Sequence, residues 1–354
     1  MNPVKIDPTK ALDEMLVTQR KLSAALGTLR TMDDVQVGVT PKEEIYREDK
    51  LVLYRFKGER APTAKIPILV VYALVNRPYM VDLQDDRSLV KNLLAKGEDV
   101  YIIDWGYPDG ADRWLTLDDY INGYIDRCVD AVARHARVKQ INLLGICQGG
   151  VFSLCYASMH PLKVKNLITM VTMVDFHTPG NMLANWVRSM DADLFVDTLG
   201  NIPADMMNLC YLTLKPVRLM QQKYLGMVDI LDDKTEMENF LRMEKWIFDS
   251  PDQAGEAFRE FLKEFYQGNK FLNGGLKIGS HEVHLSNITM PVLNVFAEQD
   301  HLVPPAASRV LADHIGTKDY TQVEFRGGHI GIYVSSRAQR EVPTAIHDWL
   351  AMRT

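Results

Sequence analysis

The sequence predicts an α/β fold in which helices cover both faces of a mostly parallel sheet, and two observations support this. From residue 49 onwards, short apolar runs alternate with stretches of helical periodicity, as in chains that join parallel strands by helices. The apolar runs are nearly continuous, which is typical of strands that are buried on both faces. One segment, 176–287, breaks this alternation and is dominated by helical, aromatic and methionine-rich stretches.

The predicted strands and helices follow one another along most of the chain. Before them, apolar residues spaced by three, four and seven positions over 9–31 predict an amphipathic helix, which either packs on its own domain or docks a partner. Strands are expected at 49–56, 66–75, 97–106, 138–147, 164–174, 290–300 and 320–325. Helices are expected at 86–96, 116–136 with Thr116 as the cap, 151–160, 237–250, 252–268, 305–315 and 338–353.

This order of elements predicts three parts. They are an N-terminal helical segment (1–45), an α/β core (46–175 and 288–354) and an insertion (176–287). Because the insertion leaves and rejoins the core between two strands, we expect it to fold over the site as a lid or cap.

Composition and charge exclude several classes of protein. The chain has 354 residues, of which 47% are hydrophobic and 24% charged, as in a globular protein. A net charge of -6 argues against a nucleic-acid partner. No apolar run reaches the roughly 18 residues of a transmembrane segment, and the first residues lack a signal-peptide pattern, so a cytoplasmic protein is expected. The four cysteines lack metal-ligand spacing, so they are expected to be reduced thiols without a metal.

The motif GICQGG (145–150) lies directly between a predicted strand and a predicted helix. This is the context in which G-x-S-x-G presents a nucleophile, here with Cys147 in place of serine. Gly145, Gly149 and Gly150 suit the tight elbow, since a Cβ there would strike the neighbouring strand or helix. The start of the following helix offers N–H groups and a positive dipole end, which favour a thiolate and a developing oxyanion. The motif therefore predicts an α/β-hydrolase fold with Cys147 as the nucleophile.

A cysteine nucleophile requires a general base, and the base requires an acid that orients it. In this fold the order along the chain is nucleophile, acid, base. Asp300 ends one late strand, and His329 follows the last strand in a glycine-rich turn. We expect Asp300 as the acid and His329 as the base to meet Cys147 at the carboxyl edge of the sheet. Asp175, which ends the strand before the insertion, is an alternative acid.

An oxyanion requires two N–H donors near the nucleophile. The backbone of Gln148 should be one, and the loop after the strand at 66–75 should supply the other. Val75 is the expected second donor, with Asn76 as its alternative. His301, next to Asp300, is a poor base for that acid because neighbours in an extended loop point apart, but it is a candidate to line the pocket, as is Asn76.

These residues resemble the catalytic (PhaC-type) subunit of class III poly(3-hydroxyalkanoate) synthases, which belong to the α/β-hydrolase superfamily. The resemblance extends from about residue 43 over nearly the whole chain and includes YALVNRPYMVDLQDDRS, NLLGICQGG, FAEQDHLVPP and GGHIGIYVS. It implies an acyltransferase that polymerises (R)-3-hydroxyacyl-CoA, mainly 3-hydroxybutyryl-CoA, into a polyester. CoA would be released through a covalent cysteine thioester, and no cofactor would be needed beyond the CoA of the substrate.

The resemblance also implies a second, non-catalytic (PhaE-type) subunit, self-association, and a location at polyester granules in the cytoplasm. Two other classes of function stay open. One is a cysteine-dependent hydrolase similar to dienelactone hydrolase or to a thioesterase, and the other is a granule-associated protein without activity. Released CoA distinguishes acyl transfer from a scaffold, and polymer in place of free hydroxy acid distinguishes it from hydrolysis.

Overall fold

The computed structural model describes residues 35–214 and 223–353, so the helix predicted at 9–31 lies outside the described residues. The strands are β1 (Lys42–Glu48), β2 (Leu51–Phe56), β3 (Ile68–Val71), β4 (Asp82–Gln84), β5 (Arg87–Ser88), β6 (Val100–Asp104), β7 (Ile141–Ile146), β8 (Val164–Met170), β9 (Lys277–Ile278), β10 (His281–Glu282), β11 (Val292–Ala297) and β12 (Tyr320–Phe325).

Eight of these strands form one central sheet in the order β1-β2-β6-β3-β7-β8-β11-β12. The strands from β6 to β12 in that order are parallel, whereas β2 pairs antiparallel with both β1 and β6. Every residue of β3, β7 and β11 is buried, which explains why these strands are continuous apolar runs. The predicted α/β fold class, with its mostly parallel sheet, is confirmed.

The helices are α1 (Leu89–Ala95), α2 (Asp126–Ala136), α3 (Gln148–Met159), α4 (Met182–Arg188), α5 (Ala192–Leu199), α6 (Ala204–Thr213), α7 (Lys223–Asp229), α8 (Lys234–Phe248), α9 (Gly255–Phe261), α10 (Lys270–Asn273), α11 (Pro305–Arg309), α12 (Leu311–His314), α13 (Gly331–Val334) and α14 (Ser336–Ala351). A π-helical stretch, Asp119–Ile125, precedes α2, and another, Leu262–Gln267, follows α9. Thr116 caps the helical run before α2, since its hydroxyl accepts from the Asp119 N–H at 3.3 Å.

Several boundaries differ from the prediction for local physical reasons. β1 begins at Lys42, inside the segment 1–45 for which we predicted helix, because this charged stretch pairs antiparallel with β2 as a partly exposed strand. β3 ends at Val71, where the chain leaves the sheet and enters a loop that stays buried as far as Leu74. The short β4–β5 hairpin was not predicted, since strands of two or three residues leave no periodic pattern.

The described chain divides into two compact units. One consists of 38–206 and 249–353 and contains the central sheet, and the other consists of 35–37 and the described part of 207–248. The smaller unit has its own apolar cluster around Leu231 and Met237. The segment predicted as a lid, 176–287, spans parts of both units, and its covering role stays a prediction. We find no helix in the described residues with the length and apolar character needed to cross a bilayer.

Candidate active site

Cys147 lies on the turn between β7 and α3, at the carboxyl edge of the sheet. Its backbone has φ 55° and ψ -120°, a conformation that strains a residue with a side chain. The Cys147 N–H donates to the Met170 carbonyl at 2.9 Å, and its carbonyl accepts from the Gly150 N–H at 3.0 Å. These bonds hold the elbow, and the side chain is half-buried at the start of α3.

The three glycines of the elbow are required for steric reasons. A Cβ on Gly149 would collide with the carbonyl oxygen of Val71, and a Cβ on Gly150 would collide with the side chain of Thr172. A Cβ on Gly145 would lie 2.5 Å from the Cα of Gly150. Because real Cβ atoms do not approach so closely, any side chain here would push α3 away from the sheet.

Asp300 follows β11, His329 follows β12, and the two side chains are bonded to each other. Asp300 Oδ2 lies 2.6 Å from His329 Nδ1, and the two residues are 5% and 6% exposed. The other carboxylate oxygen, Oδ1, accepts from the N–H groups of Leu302 at 2.8 Å and Val303 at 2.9 Å. The carboxylate is therefore fixed on both sides. Because Nδ1 is bonded to Asp300, Nε2 is the nitrogen of His329 that can interact with Cys147.

The electrostatics of this pair keep a proton on the imidazole. Burial alone would lower the pKa of His329, because the imidazolium loses its hydration. The charge and hydrogen bond of Asp300, together with a hydrogen bond that the imidazolium donates to the Cys147 sulfur, act in the opposite sense and raise the pKa of His329 to about 10. A protonated imidazole beside Cys147 is the environment in which a cysteine sulfur is a good nucleophile.

Asp175, the alternative acid, takes part in a different network. Its Oδ1 accepts from Asn269 Nδ2 at 2.9 Å and from the His177 N–H at 2.8 Å, and its Oδ2 accepts from the Thr178 hydroxyl at 3.1 Å. These bonds stabilise the turn where the chain leaves the core. The carboxylate that bonds His329 is that of Asp300, not that of Asp175.

His301, the candidate to line the pocket, is half-buried and directly follows Asp300 in the chain.

Two backbone N–H groups are available near the elbow. Gln148 begins α3, so its N–H has no partner within the helix. Its side-chain Oε1 accepts from the Leu74 N–H at 3.0 Å. The next N–H, that of Val75, has no hydrogen-bond partner among the described residues. Asn76, the alternative donor, has a φ of 60°, and its Nδ2 donates to the Ser250 hydroxyl at 2.6 Å.

Sequence reasoning missed the residues that hold this loop. Gln253, which is 3% exposed, donates through Nε2 to the Leu74 carbonyl at 3.0 Å. Asp249 accepts from the Tyr79 hydroxyl at 2.9 Å and also from the Tyr107 hydroxyl. The bonded residues are between 142 and 179 positions apart, so no short motif could have marked them.

The arrangement supplies the groups that acyl transfer uses: a sulfur nucleophile, an imidazole that can give and take a proton, a carboxylate that orients it, and free N–H groups. Within 35–214 and 223–353, no group of three or more His, Cys, Asp or Glu side chains is arranged to hold a metal ion.

Comparison with known proteins extends this description. A family model described as alpha/beta hydrolase fold matches residues 66–336. The chain is 60% identical to the poly(3-hydroxyalkanoate) polymerase subunit PhaC of Allochromatium vinosum, with 100% of both chains covered. It is 54% identical to the subunit of the same name from Synechocystis sp., over 97% of this chain and 93% of that one. The solved structure of a monoacylglycerol lipase from Paleococcus ferrophilus is similar to this chain, with a TM-score of 0.51 and 17% sequence identity over 85% of this chain and 99% of the lipase. This similarity concerns the fold alone.

Proposed function

Since the chain belongs to the PhaC subunits of the poly(3-hydroxyalkanoate) polymerases, within the α/β-hydrolase superfamily, we propose that it polymerises (R)-3-hydroxyacyl-CoA, mainly 3-hydroxybutyryl-CoA, through a thioester on Cys147. It is an acyltransferase, as its relatives are. The observation that carries the proposal is the bonded pair of His329 and Asp300 beside Cys147. Thiolates exchange well with thioesters, because the entering and leaving groups are alike.

The first step is acylation of the enzyme. The Cys147 sulfur attacks the thioester carbonyl carbon, and a new C–S bond forms while the oxygen becomes negative. The N–H groups of Gln148 and Val75 stabilise that oxyanion. When the intermediate collapses, the C–S bond to CoA breaks and protonated His329 gives its proton to the leaving thiolate. The products are free CoA and an acyl-cysteine, which is still activated for transfer.

The second step is elongation. The neutral His329 accepts the proton of the 3-hydroxyl of another acyl unit as that oxygen attacks the acyl carbon. An ester bond forms, the C–S bond to Cys147 breaks, and the thiolate returns beside a protonated imidazole. Asp300 keeps Nδ1 facing itself and stabilises the imidazolium at each turn of this cycle.

The wider setting of the reaction belongs to the same proposal. We propose that the enzyme needs no cofactor other than the CoA of its substrate and that it acts with a non-catalytic PhaE-type subunit. The proposal also includes self-association of the chain and a location at polyester granules in the cytoplasm. Water would hydrolyse an acyl-cysteine, so the segment 176–287 would serve as a lid that excludes it. Family membership supports these assignments.

An assay with 3-hydroxybutyryl-CoA tests the proposed function. The purified chain is incubated with the substrate, with and without the partner subunit, and both released thiol and insoluble polymer are measured. We expect both products, and more of each when the partner is present. Free 3-hydroxybutyrate without polymer would identify a cysteine-dependent hydrolase. If no thiol and no polymer appeared either with or without the partner subunit, a granule-associated protein without activity would be the better description.

A further inference from the structure

Tyr333 lies beside the general base and takes no part in the mechanism described above. It belongs to α13, and its ring meets that of His329 edge to face, with centroids 6.4 Å apart. The residue is 2% exposed, and its hydroxyl oxygen is buried without a hydrogen-bond partner among the described residues. Leaving a buried hydroxyl unpaired destabilises a protein, so such a group in a native site calls for an explanation.

The ring contact with His329 places Tyr333 at the edge of the catalytic pair. It interacts electrostatically with Tyr72, Cys147 and Asp300. Burial first, and then these neighbours, hold the pKa of Tyr333 well above its ordinary value, so the hydroxyl stays protonated and can donate a hydrogen bond. Asp300 is already bonded to His329 and to two backbone N–H groups. Among the described residues, the Tyr333 hydroxyl is thus a donor without an acceptor, on a side chain that contacts the general base.

The chemistry of the acyl group indicates what this donor binds, and this step rests on the proposed function. The acyl part of a 3-hydroxyacyl thioester has one oxygen in its carbonyl and one on C3. The carbonyl oxygen is assigned to the N–H groups of Gln148 and Val75. The oxygen on C3 is the polar atom that remains, and it too needs a partner once the acyl group is buried.

We propose that the Tyr333 hydroxyl binds the C3 oxygen of the acyl unit on Cys147, so that Tyr333 is a specificity-determining residue for 3-hydroxyacyl groups. A site that hydrogen-bonds a substrate hydroxyl rejects the analogue that lacks it, because the buried group of the site is then left unpaired. An acyl chain without the 3-hydroxyl would leave the Tyr333 hydroxyl buried and without a hydrogen-bond partner.

The variant Tyr333→Phe tests this assignment, because it removes the hydroxyl and keeps the ring beside His329. Single-turnover CoA release is measured with 3-hydroxybutyryl-CoA and with butyryl-CoA, and the free energy of unfolding is measured in parallel. We expect kcat/KM for the 3-hydroxy substrate to fall by roughly 10-fold, the worth of one good hydrogen bond. The kcat/KM for butyryl-CoA should stay at the wild-type value, and the free energy of unfolding should not decrease.

Tyr320→Phe is the matched control. The Tyr320 hydroxyl accepts from Asn294 Nδ2 at 3.1 Å, so this variant loses a hydrogen bond within the fold. Tyr320→Phe should lower the free energy of unfolding. The ratio of kcat/KM for 3-hydroxybutyryl-CoA to kcat/KM for butyryl-CoA should stay at the wild-type value. A second measurement uses the Cys147→Ala protein, in which Tyr333→Phe should weaken binding of 3-hydroxybutyryl-CoA but not of butyryl-CoA.

Two results would overturn the assignment of Tyr333. Unchanged rates in Tyr333→Phe would show that the hydroxyl is not used, and an equal fall for both substrates would show that it serves a step common to both. In either case the wild type still releases CoA and the proposed function stands. If the wild type releases no CoA from 3-hydroxybutyryl-CoA, the proposed function fails and this inference fails with it.

Discussion

Asp300 Oδ2 lies 2.6 Å from Nδ1 of His329, and the second oxygen of the same carboxylate is held by the N–H groups of Leu302 and Val303. The carboxylate cannot turn away from the imidazole without breaking these bonds as well. The orientation of His329 is therefore set by the fold of the loop after β11 before any substrate arrives. Such preorganisation lowers the cost of reaching the transition state.

The nucleophile can be tested with two substitutions of Cys147. Cys147→Ala should reduce CoA release by roughly 10³-fold or more and should prevent covalent labelling by the acyl substrate. Cys147→Ser should retain little activity, because an alkoxide is harder to generate and its ester is a poorer acyl donor than a thioester. A thiol assay and the mass of the intact acyl-enzyme measure the two effects. Substantial polymer from Cys147→Ala would contradict the mechanism.

Substitutions of His329 and Asp300 should separate their roles. His329→Gln should slow acylation by roughly 10³-fold, because both the proton donor and the base are lost. Asp300→Asn should slow acylation less, since thiols ionise readily without a fully oriented base. It should slow elongation more, because a substrate hydroxyl must then be deprotonated. Rapid-quench measurement of the CoA burst and of polymer growth resolves the two steps. Equal slowing of both would mean that Asp300 acts only by orienting His329.

The raised pKa of His329 links folding to pH. It is about 10 in the folded chain, against about 6.5 for an unperturbed histidine. The folded state binds this proton more tightly than the unfolded state does. Protonated His329 therefore contributes fully to the free energy of unfolding below about pH 6.5, and this contribution is lost as the pH rises through about 10. Denaturant titrations should show that the free energy of unfolding of the wild type falls over this interval relative to that of His329→Gln. A constant difference would show that the pKa of His329 is not raised.

Gln253 holds the carbonyl of the peptide group whose N–H belongs to Val75. Gln253→Leu keeps the size of the side chain but removes the donor, so the peptide group can rotate away from the oxyanion. We expect kcat to fall by roughly 10-fold with little change in KM. Gln267→Leu is the control, because Gln267 donates to the Val187 and Met190 carbonyls at 3.3 Å and 2.7 Å, away from this loop. An equal loss of kcat in both variants would indicate general destabilisation.

The proposed lid can be tested by hydrogen exchange. A closed cover would retain a long polyester, so at least one open form must exist, and a partner can favour it only by binding the two forms differently. On addition of the PhaE-type subunit we expect amide protection to change within 176–250, and in 9–31 if that segment docks the partner. β7 and β8 should keep their protection. Unchanged exchange with strongly increased activity would mean that the partner acts elsewhere, for instance by holding the growing chain.

The positions of the central groups could be predicted from the sequence because each has a local signal. Cys147 lies in a glycine-rich turn after a buried strand, Asp300 follows the apolar run that ends at Ala297, and His329 lies in the glycine-rich turn after the strand that ends at Phe325. Since parallel strands end at one edge of a sheet, such residues meet there even when they are far apart in the chain. The hydrogen bond between His329 and Asp300 is the result of this rule.

The remaining features depend on contacts that one sequence does not encode locally. The bond from Gln253 to Leu74 joins residues 179 positions apart, and neither residue belongs to a recognisable motif. β1 was missed because three of its seven residues are exposed and carry charge, so it shows no apolar run. That the Tyr333 hydroxyl has no partner in the described part of the chain is a property of packing in three dimensions, so a tyrosine in GGHIGIYVS gives no sign of it.

The backbone of Cys147, with φ 55° and ψ -120°, has a consequence for engineering this enzyme. A residue with a side chain in such a conformation costs about 1–3 kcal/mol of stability, which a glycine at the same place would largely recover. Selection for heat resistance alone would therefore favour loss of the sulfur, and under the proposed mechanism turnover would be lost with it. Any library screened for robustness has to keep codon 147 fixed and seek its gains at positions remote from the elbow.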